Sequence, residues 1–80
     1  MIVGYVIFDG DHMFSKFEPD YPKLAAGEKD AFRVIWTSNI DHATVYRLDE
    51  HEVALGARAI IKRLIGREVL VHHLEIGSRA

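Results

Sequence analysis

The chain of 80 residues contains no cysteine. A disulfide framework and a thiolate zinc site are both excluded, and an intracellular home is expected over a secreted one. No apolar run approaches the ~20 residues that span a bilayer. The first residues, with Gly4, Tyr5 and Asp9, lack the basic segment of a signal peptide and read as a strand. There is no phosphate-cradling glycine loop, and none of Ser15, Ser38 and Ser78 sits in a nucleophile elbow. Internal repeats and low-complexity tracts are also missing.

What is present is a hydrophobic content of 49%, which argues against disorder. A single domain of this size buries roughly 60% of its unfolded surface, so the core is one layer between helix and sheet. The clearest element runs from Asp49 to Gly66. Asp49 is the expected N-cap, with Glu52 three residues on to complete a capping box and Leu48 and Val53 as a hydrophobic staple. Val53, Ala57, Ile60, Ile61 and Leu64 recur at the helical period and form the expected inner stripe. Gly66 suits the left-handed end of a helix.

The remaining elements are extended. Ile2 to Phe8, rich in β-branched and aromatic residues, reads as a first strand, and Asp9-Gly10-Asp11 as a hairpin turn. His12 to Phe17 follows as its partner, with Met13, Ser15 and Phe17 on one face and His12, Phe14 and Lys16 on the other. Glu18 to Asp30, holding Pro19, Pro22 and Gly27, reads as a loop with one helical turn around Lys23–Ala26. Phe32 to Ser38 is a third strand, Asn39 to His42 a turn, and Ala43 to Tyr46 a short extended piece. Glu68 to Ile76 is the last strand, with Leu70, His72, Leu74 and Ile76 facing one way and Val69, Val71, His73 and Glu75 the other. The expected fold is α+β: a four-stranded, mainly antiparallel sheet in βββαβ order with one amphipathic helix on one face. The second face carries either Tyr5 and Ile7 or Ile2 and Val6, and an exposed apolar patch there would suit a partner or a homodimer.

Formal net charge is −2, and it is unevenly spread. Residues 1–52 hold ten acids against five bases, and residues 53–80 five bases against two acids. Part of this opposes the helix macrodipole. The acids before residue 31 do not, and a loop-borne acidic surface attracts a basic partner and repels nucleic acid.

Each candidate chemistry meets an obstacle. His72 and His73 are adjacent on a strand and point to opposite faces, while His12, His42 and His51 show no ligand spacing, so no metal site is assigned. Asp9-Gly10-Asp11 resembles the opening of a calcium loop, but position 20 is Asp where that loop needs Glu, and Pro19 interrupts it. Acid–base catalysis needs a pocket that perturbs pKa values, which a single-layer core rarely forms; no catalytic or cofactor-binding residue is assigned and an enzyme is not expected. His51, Leu55, Arg58 and Lys62 form a stripe placed opposite the core face. A recognition helix needs such a stripe but also further phosphate contacts, and Leu55 among charges suits a small protein contact.

The layout resembles a family. An opening hairpin, a strand ending in Trp36-Thr37, the run Asn39-Ile40-Asp41-His42-Ala43-Thr44-Val45-Tyr46 into a capped alanine-rich helix, and a closing strand are similar to the small accessory proteins of bacteriophages and mobile elements. In length and composition the chain is similar to phage anti-CRISPR proteins, in particular the type I-C group. Such inhibitors carry no active site. The resemblance implies a stoichiometric inhibitor in the cytoplasm of a bacterial host. It would bind subunits of a type I CRISPR effector complex (Cascade) and block recruitment of target DNA, by mimicry or by steric hindrance. The residues expected at that contact are Asp9, Asp11, Asp20, Glu28 and Asp30, with Leu55, Arg58 and Lys62 on the helix. Two alternatives stand beside it: a DNA-binding regulator using Arg58, Lys62, Arg63 and Arg67, and a structural protein that self-associates through the open sheet face.

Overall fold

A computed structural model describes residues 1–75. The elements are β1 (Ile2–Asp9), β2 (His12–Pro19), α1 (Tyr21–Ala25), β3 (Phe32–Thr37), α2 (His51–Ile65) and β4 (Leu70–Glu75), with 3₁₀ turns at Ile40–His42 and Leu48–Glu50. The strands form one antiparallel sheet in the order β3-β2-β1-β4. The long helix packs on one of its faces, so the fold is α+β with a four-stranded sheet as expected. One short helix, α1, is added to the expected order. Ile76, assigned to the last strand from sequence, lies outside the described residues.

The core is a single layer. Ile7, Phe14, Ile61 and Val69 are buried together, with Phe17, Val34, Trp36, Tyr46, Ala57, Ile65 and Val71 packed around them. Strand alternation therefore places Tyr5 and Ile7 under the helix and Val6 on the far face, while a register shift between Ile2 and Gly4 takes Ile2 out of step with Val6. That far face is partly covered: Val6 and Met13 are buried on it, whereas Leu70 is exposed.

Two expectations about facing are corrected. Strict alternation along β2 would separate Phe14 from Phe17. The register shifts between Phe14↔Trp36 and Lys16↔Ile35, leaving Ser15 as an extra residue. This bulge resets the period, so both rings point into the core with centroids 4.8 Å apart. On α2 the inner stripe is rotated relative to the one expected. Ala54 and Ile61 are buried and Ala57 and Ile65 pack against the core, while Val53 and Ile60 are exposed. Ala54, Ala57, Ile61 and Ile65 follow one another at spacings of three and four residues and form the inner face, and Val53 and Ile60 fall outside it.

The helix start also differs from expectation. Leu48–Glu50 is a 3₁₀ turn, and α2 proper opens at His51. Glu50, not Glu52, reaches back, its Oε1 accepting from the Arg47 amide at 2.8 Å. Leu48 and Val53 both stay largely exposed. At the other end Gly66 adopts φ 73° and its amide donates to the Lys62 carbonyl at 2.8 Å, the expected left-handed stop.

The opening hairpin is joined by only two residue pairs, Phe8↔Met13 and Asp9↔His12. Beyond them β1 and β2 diverge, and the Ala43–Tyr46 segment fills the gap. Tyr5 and Tyr46 exchange backbone hydrogen bonds of 2.7 and 2.9 Å, and the Thr44 amide donates to the Phe14 carbonyl at 2.9 Å. Side chains fasten the same seam: the Ser15 hydroxyl donates to the His42 carbonyl at 2.7 Å, and the Thr44 hydroxyl to the Ser15 carbonyl. The far half of β2 is thus paired to β3 but not to β1, and the β2–β3 hairpin projects as an arm. The molecule measures 55 × 23 × 18 Å.

Candidate functional site

The five acids expected at a partner surface fall at the two ends of β2. Eight extended residues at ~3.3 Å each put these ends about 25 Å apart. Asp9 and Asp11 flank the turn at Gly10, whose φ is 60°. The Arg67 guanidinium donates to Asp9 through two of its nitrogens, Nε to Oδ1 at 3.3 Å and Nη2 to Oδ2. That hydrogen bond, more than the charge itself, holds the Asp9 carboxyl below its ordinary value. Asp11 is exposed and has no side-chain partner among the described residues.

The other three acids sit at the tip of the arm. Asp20 caps α1, its Oδ1 accepting from the Lys23 amide at 3.3 Å, and Pro22 in the first turn suits a helix start. Gly27, at φ 70°, ends the helix, with the Glu28 amide donating to the Lys23 carbonyl at 3.0 Å. The helix lies slightly earlier than the turn expected around Lys23–Ala26. Asp30 pairs with Arg63 at 3.1 Å, while the Glu28 side chain is exposed without a partner among the described residues. Two of the five acids are therefore neutralised and a third is occupied as a cap.

The tip has a second character that the sequence reading missed. α1 buries none of its residues. Tyr21, Leu24 and Phe32 are 72%, 48% and 50% exposed, and they share the tip with Asp20 and Glu28. Between β3 and α2 an apolar groove of about 270 Å³ runs inward from the tip, lined by Phe17, Phe32, Ile60 and Leu64 and rimmed by the Asp30–Arg63 pair. The signal was available in the Asp20-x-Pro22 start and the Gly27 stop. They mark a helix too short and too polar in its surroundings to belong to the core.

The helix stripe is also relocated. His51 stacks on Tyr5 at 4.8 Å, and Tyr5 on His73 at 5.2 Å. Leu55 and Arg58 are half-buried, and Lys62 pairs with Glu68. This stripe lies along the flank of the helix over β1 and β4, not opposite the core. The Lys62 hydrogen bond lowers the Glu68 pKa, as Arg33 and Lys16 lower that of Glu18. Lys62, Arg63 and Arg67 are each committed to an acid.

His72 rests edge-on against Phe8 and His73 against Tyr5, on opposite faces of the sheet. Among the described residues no three His, Asp or Glu side chains converge to hold a metal ion, and no helix is long and apolar enough to cross a membrane. A shallow depression beside the hairpin turn, lined by Phe8, Leu70, His72 and neighbours, is open to solvent. No protein family, curated protein or solved structure matches the chain.

Proposed function

We propose that this chain is a stoichiometric protein-binding inhibitor of the anti-CRISPR kind, acting in a bacterial cytoplasm on a type I effector complex to block its recruitment of target DNA. The resemblance in layout supplies the partner class. The observation that carries the binding role is α1, a helix that contributes nothing to the core and holds Tyr21 and Leu24 in solvent at the end of an arm. Aromatic and aliphatic anchors with a polar rim are what a protein contact is made of.

Steric blocking fits the site better than DNA mimicry. Mimicry requires a continuous run of free carboxylates, whereas Asp9 and Asp30 are paired with arginines and lie at opposite ends of β2. The DNA-binding alternative is weakened by these two pairs together with Lys62–Glu68, which occupy three of the four bases it would use.

The test is target-duplex binding by a purified type I-C effector complex with the protein in excess. Inhibition is expected to saturate at a fixed stoichiometry and to be lost with Tyr21→Asp or Leu24→Asp. The double variant Asp11→Lys, Glu28→Lys, which reverses the two free acids without touching an ion pair, is expected to retain inhibition. Unchanged duplex affinity in the presence of excess protein would sink the proposal, and loss of inhibition in the acid variant alone would restore mimicry.

A further inference from the structure

The long helix turns a second apolar line toward solvent. Val53 and Ile60 are 56% and 41% exposed, and Gly56 and Ala59 lie between them, also exposed. Spacings of three and four residues set Val53, Gly56 and Ile60 on one line along the helix. Among the described residues, none outside the helix's own neighbouring backbone lies within 4 Å of the point where a Cβ on Gly56 would stand. No packing among the described residues therefore explains glycine at a mid-helix position, where it is among the least favourable residues. Glycine does there what no other residue can: it lets a second backbone approach closely.

The charges on that line are ordered. Asp49, in the 3₁₀ turn just before α2, and Glu52 stand at its N-terminal end and Arg63 at its C-terminal end, Asp49 and Arg63 each seven residues from Gly56; one Asp49 oxygen already holds Arg47 at 3.3 Å, which leaves the second for a further donor. A line that reads acid, apolar, glycine, apolar, base is complementary to itself turned end for end. We infer that α2 is the interface of a two-fold homodimer in which two copies cross antiparallel at Gly56. A closed two-fold contact uses the same patch on both copies, and this patch satisfies that condition. Val53 of each copy lies against Ala59 and Ile60 of the other, and Asp49 of each faces Arg63 of the other. Arg63 is exposed and already holds Asp30, so its guanidinium, with five donors, serves both carboxylates. The groove beside Ile60, walled by Phe32 and Leu64, continues the apolar area toward β3.

This surface adjoins the tip through that groove but includes neither Tyr21 nor Leu24 of α1, and it does not depend on the identity of any partner. Sedimentation equilibrium of the full chain from micromolar to millimolar concentration is expected to show a monomer–dimer transition. Gly56→Leu is expected to abolish the dimer across that range while raising the thermal midpoint of the dilute, monomeric protein. A misfolded variant would lower that midpoint, so the two effects separate. Asp49→Arg and Arg63→Asp are each expected to weaken the dimer by about tenfold or more, through like charges brought together. An equimolar mixture of those two variants is expected to regain wild-type affinity as a heterodimer. A wild-type chain monomeric throughout, a dimer that survives Gly56→Leu, or a mixture no tighter than its components would overturn the inference.

Discussion

A Cβ on Gly4 would overlap the Tyr46 carbonyl oxygen and crowd Val45. That carbonyl accepts the Tyr5 amide at 2.7 Å, so the two backbones cannot part without breaking the seam. Gly4→Ala is expected to destabilise the fold by about 1–3 kcal/mol, the range for overpacking a tight site. Gly56→Ala, with open space around it, is expected to stabilise the monomer by about 0.5–1 kcal/mol. Urea unfolding at low protein concentration measures both, and equal effects of the two substitutions would contradict this assignment. Charged residues give a second prediction at this scale. Asp9, Glu18 and Glu68 are held below their ordinary values of 3.8, 4.5 and 4.5 by hydrogen bonds from Arg67, Arg33 and Lys62. A carboxylate depressed in the folded state adds stability that is complete above its unfolded pKa and is lost as pH falls through the folded one. The thermal midpoint is therefore expected to hold from pH 7 to about pH 5 and to decline below about pH 4.5. The pairs are exposed, so added salt should shrink the decline.

At the scale of elements, much was legible and the exceptions have identifiable causes. Strand positions followed from β-branched and aromatic runs, and Gly10 and Gly66 marked their turns. The facing of β2 was not legible, because a bulge at Ser15 changes the period without changing the residue types. The helix stripe was misplaced because Val53 and Ile60 outweigh alanine in a periodicity count, yet they are exposed while Ala54, left out of the expected stripe, is fully buried. The cap was misplaced by two residues: Asp49 and Glu52 have the right spacing, but so do Arg47 and Glu50, and a 3₁₀ turn selects the second pair. Unfolding of single variants checks this. Glu50→Ala, which removes the acceptor for the Arg47 amide, is expected to cost about 1 kcal/mol, and Asp49→Ala close to nothing at dilute concentration. Of the candidate site, the acids were legible as residues but not as a surface. Their arginine partners Arg63 and Arg67 lie 33 and 58 residues away in sequence, and no local pattern announces such pairs.

For the molecule as a whole, the tip segment 21–30 stands apart from the core, whereas the strands that carry it pack on the core and α2 through Phe17 and Val34. Residues 21–30 contribute α1, which buries nothing, and the Asp30–Arg63 pair at the surface. Replacing that segment by Asn-Gly, a two-residue hairpin turn, is expected to leave the thermal midpoint within a few degrees and to abolish effector binding. The inserted segment Ala43–Tyr46 has the opposite standing, with a consequence for how the chain reaches its native state. The opening hairpin can zip only two residue pairs before it must wait for a strand encoded some thirty residues later. Apart from those two pairs, the seam is the backbone link, among the described residues, between the β2–β3 ribbon and the β1–β4 ribbon. Closure of the seam at Tyr5 and Tyr46 is thus the event that makes the two ribbons one cooperative unit. Long sequence separation makes that event slow. The Tyr5 and Tyr46 amides should accordingly exchange with solvent only through global unfolding, while the amides of α1 exchange freely from the native state.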